Sequence, residues 1–227
     1  MSKLNEFAAG SASATRAAKA GFVVLRPEQA ARFLEAQSGV EDVDISDFQT
    51  LTEGAGASNG ISLLTAKYTL NGEPVERGIV IRYMPGVKLI KQKDYGSEFF
   101  TMSALANAGL PVPQVLWLDA EGQYLGAPGY AMERVVGRSP DAAMFSSGLF
   151  AEVQPEARRS MMLQSAEFQG RLRREAIAED MVPHLAHRGH GETAVRRELG
   201  WWLSEVEMAR PPGERHRVAL EQLLDWM

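Results

Sequence analysis

The apolar positions of this chain change period along its length, and the changes divide it into elements. Pro27 opens a helical stretch in which Ala30, Phe33, Leu34 and Gln37 fall at helical spacing, and Gly39 ends it. From Val43 to about Leu51 the pattern is strand-like: Val43, Ile45 and, after a break, Phe48 are separated by Asp and Ser. A glycine-rich turn follows, Glu53-Gly54-Ala55-Gly56-Ala57-Ser58-Asn59-Gly60. Ile61 to Leu70 predicts a second strand with Ile61, Leu63, Thr65, Lys67 and Thr69 on one face. Asn71-Gly72, two residues tolerant of positive φ, predicts a tight hairpin turn into a third strand, Arg77 to Tyr83. These three strands form one antiparallel meander with a glycine loop in its first turn.

From about Gln92 the period becomes helical again, with Phe99, Met102, Ala106 and Leu110 spaced by 3, 4 and 4 and with Gly109 and Pro111 ending the stretch. Val112 to Leu118 predicts a fourth strand, Asp119 to Gly122 a turn, Tyr130 to Val136 a fifth strand, and Gly137 to Pro140 a linker. Beyond the linker the chain reads as helical. Ala157, Met161, Phe168 and Leu172 form one stripe; Leu199, Trp202 and Val206 a second; Ala219, Leu223 and Trp226 a third. The predicted class is α+β: a five-stranded antiparallel sheet with one inserted helix, followed by a helical segment.

Composition narrows the function classes. Hydrophobic residues make up 45% and charged residues 23% of the 227 positions, ordinary values for a globular chain rather than a disordered or fibrous one. A net charge of −5 gives no electrostatic reason to expect nucleic acid or an anionic membrane as partner. With no cysteine, disulfides, cysteine nucleophiles and thiolate metal sites are excluded. Met1 to Ala20 is small and polar, without the apolar run of a secretion signal, so a flexible tail over residues 1–26 and a cytoplasmic location are expected.

The glycine-rich turn is the most informative feature. It contains no Gly-x4-Gly-Lys-Ser/Thr string, and a dinucleotide fingerprint starting at Gly54 would need glycine where Asn59 stands. Gly56-Ala57-Ser58-Asn59-Gly60 matches the nucleophile-elbow string of α/β-hydrolases, but an elbow must lead into a helix, and a strand is predicted here. What remains is a loop between antiparallel strands whose backbone N–H groups and Ser58 hydroxyl could approach phosphate oxygens. Taken alone, an ordinary glycine-rich hairpin explains the loop better. His184, His187 and His190 recur every third residue but lack a zinc-site spacing, and a solvated polar loop accounts for them.

Behind the loop stands an ordered set. Arg82 closes the apolar strand Ile79-Val80-Ile81, and Glu98 borders the stripe of the next helix, with Met102 and Leu105 at i+4 and i+7. A carboxylate there wants a cation, and Arg82 is the nearest in this topology. The plain alternative is a surface cation and a solvated carboxylate. Met132-Glu133-Arg134-Val135 then runs into the linker, where a hinge would lie. Together with Gly109-Leu110-Pro111-Val112-Pro113, this order resembles the N-terminal lobe of the aminoglycoside phosphotransferase-type kinases, protein-kinase-like phosphotransferases of small molecules. The resemblance covers roughly residues 27–140 and continues more weakly to Trp201-Trp202, which resemble the family's helical insert.

That resemblance implies a nucleotide-binding lobe over residues 27–136 and a partial helical lobe over 137–227. Gly56, Ser58 and Asn59 would hold the phosphates of ATP, and Arg82 would take the strand-3 cation role paired with Glu98. Glu133 and Val135 would offer backbone groups to adenine. It further implies an ATP-dependent kinase of a small hydroxylated metabolite or aminoglycoside-like substrate, with magnesium and without nucleic acid or membrane as partner. The family's catalytic loop reads His-Gly-Asp-x4-Asn, and the nearest string here, His190-Gly191-Glu192 with Arg197 in the Asn position, lacks both the Asp and the amide. The catalytic Asp and magnesium ligands are therefore expected to be missing. The chain then reads as a fragment inactive on its own, with exposed helices open to self-association, or alternatively as a non-catalytic nucleotide- or partner-binding pseudo-kinase module.

Overall fold

In the computed structural model of the chain, residues 23–51, 59–84, 94–138, 147–174, 191–209, 218 and 222 are described. The elements are α1 (Pro27–Glu35), β1 (Val40–Leu51), β2 (Gly60–Leu70), β3 (Glu73–Tyr83), α2 (Tyr95–Asn107), β4 (Val115–Asp119), β5 (Gly129–Glu133), α3 (Leu149–Glu152), α4 (Pro155–Arg174) and α5 (Ala194–Ala209). The strands form one sheet in the order β1-β2-β3-β5-β4, every neighbouring pair antiparallel. The class is α+β, as the hydrophobic pattern predicts.

Asn71 and Gly72 both take positive φ, 51° and 86°, and join Leu70 to Glu73 in register, so the hairpin turn lies where its two residues place it. The break in the first strand has a backbone cause. Asp42 and Asp47 adopt φ of 54° and 50°, and the β1–β2 register slips at each. Each slip inserts an extra residue, and the one at Asp47 brings Phe48 onto the core beside Val43 and Ile45, although strict alternation would turn Phe48 to the other face.

The core lies on one face of the sheet. Ser62, Leu64, Ala66 and Tyr68 of β2 and Ile79, Ile81 and Tyr83 of β3 are at most 3% exposed, and Ala30, Phe33 and Leu34 of α1 belong to the same cluster. The predicted set Ile61, Leu63, Thr65 and Thr69 does share a face, but the opposite, half-buried one, and Lys67 on it is exposed. Leu25, within the expected tail, is 1% exposed and donates its N–H to the Tyr83 hydroxyl, so the core reaches back past residue 26.

Two helical stripes differ from expectation. Trp201 is the buried member of its pair in α5, at 7% exposure, while Trp202 is 47% exposed and donates its indole N–H to Glu198. Successive helix residues point about 100° apart, so adjacent tryptophans cannot both face inward. In α4, Met161, Phe168 and Leu172 are half-buried and Ala157 is exposed. Ala219, Leu223, Trp226 and the His184–His190 set lie outside the described residues. Among the described residues, no helix is long and apolar enough to cross a membrane.

Candidate functional site

The second face of the sheet carries Ile61 and Leu63 of β2, Val80 and Arg82 of β3, and Tyr130 and Met132 of β5, placed side by side by the register pairs Ile61–Arg82, Leu63–Val80, Arg82–Tyr130 and Val80–Met132. All but Tyr130 are half-buried, whereas Tyr130 is fully buried. Helix α2 covers one end of this face: Tyr95 and Phe99 pack their rings on Tyr130 at centroid distances of 6.3 and 6.1 Å.

Asp94 starts that helix. Its carboxylate accepts the N–H groups of Gly96 and Ser97, satisfying two donors that the first turn leaves without partners. The cap fixes the turn that presents Tyr95 and Glu98 to the sheet. Glu98 Oε2 lies 3.5 Å from Arg82 Nη2, with side-chain exposures of 31% and 28%. The Tyr130 hydroxyl donates to the same Oε2 at 3.3 Å, and the Tyr130 ring lies under the Arg82 guanidinium, 5.9 Å from Cζ to centroid. Arg82 Nε is buried and has no acceptor among the described residues.

Tyr95 extends the cluster toward the glycine loop. Its hydroxyl lies 2.9 Å from the Tyr83 carbonyl and 3.1 Å from the Asn59 side-chain oxygen position. A hydroxyl has one proton and the carbonyl can only accept. The single proton is therefore shared between two acceptors, the Tyr83 carbonyl and Asn59 Oδ1. Burial, reinforced by the Glu98 charge, pushes the Tyr95 hydroxyl well above the usual tyrosine range. Burial likewise pushes Tyr130 up to about 12; Arg82 opposes the shift and Glu98 adds to it.

Of the residues singled out in the sequence, Asn59, Arg82 and Glu98 are thus drawn together around α2. Glu133 and Val135 lie at the far end of β5. The Glu133 N–H donates to the Gln114 carbonyl, and Val135 follows the strand at 67% exposure. Gly56 and Ser58 lie outside the described residues. The segment that holds them joins two antiparallel strands, β1 and β2, which removes the strand-to-helix setting of a nucleophile elbow and with it the hydrolase reading.

Sequence reasoning missed Tyr95 and Tyr130. Both read as ordinary aromatics of a helix start and an apolar strand; only the topology shows that both hydroxyls reach the same cluster. A partly enclosed guanidinium, held from one side by a carboxylate and retaining a donor without an acceptor, is suited to an anionic oxygen such as that of a phosphate. Among the described residues, no group of three or more His, Asp or Glu side chains is placed to hold a metal ion.

Comparison with known proteins bears on the same region. Residues 76–227 match the model of the phosphotransferase enzyme family. Over 153 residues the chain is 25% identical to acyl-CoA dehydrogenase family member 10 of Mus musculus, a match covering 67% of this chain and 13% of that protein. A solved Ralstonia eutropha structure classed as an aminoglycoside phosphotransferase shares the fold at a TM-score of 0.50 and 19% identity, over 89% of this chain and 53% of that one. The chain therefore spans about half of the solved relative and a much smaller share of the curated one. The family match begins within β3, takes in both Arg82 and Glu98 and extends over more than half of the sequence: the chain belongs to the phosphotransferase enzyme family.

Proposed function

We propose that this chain is the ATP-holding part of a cytoplasmic, ATP-dependent phosphotransferase acting on a small hydroxylated metabolite or aminoglycoside-like substrate. In this reading, residues 27–136 form the nucleotide lobe and 137–227 part of a helical lobe. The observation that carries it is the Arg82–Glu98 pair at 3.5 Å, with Arg82 Nε buried and lacking an acceptor among the described residues. The Arg82 side chain is 28% exposed, so a phosphate oxygen could reach the open side of the guanidinium. The half-buried face of Ile61, Leu63, Val80 and Met132 offers apolar contact to a planar base.

The roles follow from placement. Gly56, Ser58 and Asn59 would contact the phosphates from the loop, and Arg82, kept in position by Glu98, would counter their charge. The Glu133 carbonyl and the Val135 N–H would meet the adenine edge. Phosphoryl transfer is mostly positioning and charge neutralisation, so an always-protonated guanidinium serves the strand-3 role well. Magnesium, expected for the complete enzyme, would supply further neutralisation through ligands outside the set named here.

Titration of ATP into the purified chain by calorimetry tests the reading. The wild type is expected to bind and Arg82→Ala to lose at least tenfold in affinity, which corresponds to about 1.4 kcal/mol. No binding by the wild type, or equal binding by both, would overturn it.

A further inference from the structure

Tyr130 occupies a fully buried position between the rings of Tyr95 and Phe99. Its hydroxyl therefore needs a reason, since burying one is unfavourable without a partner. The partner is Glu98 Oε2, the same oxygen that meets Arg82. Arginine and carboxylate left to themselves favour a fork-to-fork contact with two parallel hydrogen bonds. Here Arg82 Nη2 and Glu98 Oε2 stand 3.5 Å apart, and Arg82 Nε has no acceptor among the described residues.

We propose that Tyr130 is a positioning residue that holds Glu98 back from closing on Arg82, so that the guanidinium keeps donors for the oxygens of a polyphosphate. The restraint works from two sides. The hydroxyl anchors the carboxylate, and the ring under the guanidinium holds the cation over the sheet at 5.9 Å. Without the hydroxyl, Glu98 loses that anchor, pairs more fully with Arg82 and competes with the bound anion. The inference rests on the nucleotide reading for its ligand but assigns a new task to a residue outside the conventional ion pair.

A double-mutant cycle separates this task from a packing role. Wild type, Tyr130→Phe, Glu98→Gln and the double variant are titrated with ATP and, separately, with inorganic tripolyphosphate; circular dichroism and thermal melting confirm that each is folded. Tyr130→Phe is expected to weaken tripolyphosphate and ATP by about 2- to 10-fold, the size of one hydrogen bond. On the Glu98→Gln background the same change should have no further effect. An equal loss on both backgrounds, no loss at all, or a wild type that binds neither ligand would overturn the proposal. Tripolyphosphate binding that depends on Tyr130, without ATP binding, would uphold the proposal and defeat the nucleotide reading. ATP binding that needs Arg82 but ignores Tyr130 would do the reverse.

Discussion

Two tyrosine hydroxyls sit where a strand cation, a helix carboxylate and the stem of a glycine loop converge, and their ionisation is a direct probe of that cluster. Burial pushes Tyr130 up to about 12 from an ordinary value near 10. A pKa raised on folding contributes stability that is complete below the unfolded value and lost as pH rises through the folded one. Unfolding midpoints in urea should therefore fall as pH climbs from about 10 to about 12, and the Tyr130→Phe variant should lose less across that window. Equal losses would mean that Tyr130 ionises freely. The shift of Tyr95, also caused first by burial, acts in the same direction. The Arg82–Glu98 pair could be anticipated, because an apolar strand ending in a cation and a carboxylate beside an apolar stripe each lack a partner locally. The hydroxyls could not, since an aromatic residue in an apolar run has a sufficient explanation in packing alone.

At the scale of elements, α2 is the part that turns sequence into a site. Its cap residue, Asp94, holds the first turn, and that turn carries both Tyr95 and Glu98. Asp94→Ala is expected to cost about 0.5–2 kcal/mol in chemical denaturation. It should also weaken ATP binding, because fraying there moves Glu98 away from Arg82. An unchanged stability would show that the cap does not hold the helix start. The strands and the β1-β2-β3 meander were legible because period-2 patterning and the Asn71-Gly72 turn are local signals, whereas the pairing of β5 rather than β4 with β3 was not. Which face of β2 is buried was not. Ile61, Leu63 and Thr65 look as apolar as Ser62, Leu64 and Ala66, and only the helices laid on each side of the sheet decide between them. The bulges at Asp42 and Asp47 and the choice of Trp201 over Trp202 were hidden for the same reason.

At the scale of the whole molecule, binding and transfer should separate. The 227-residue sequence contains no His-Gly-Asp-x4-Asn string, and transfer needs a carboxylate to orient the acceptor hydroxyl and ligands to hold magnesium. We expect the purified chain to bind ATP yet show no transfer to hydroxylated acceptors in a coupled assay with magnesium. Turnover that disappears in Arg82→Ala would contradict this. By itself the sequence determined the element order, the antiparallel meander, the hairpin turn and the cation–carboxylate candidates, because each depends on contacts or periodicities a few residues long. The tertiary structure decided which sheet face is core, how α2 meets the sheet and that the Tyr130 hydroxyl, with Tyr95 packed on its ring, bonds the carboxylate that meets Arg82. Those features depend on side chains dozens of residues apart meeting in space, and no local pattern encodes which of several equally apolar surfaces will be covered.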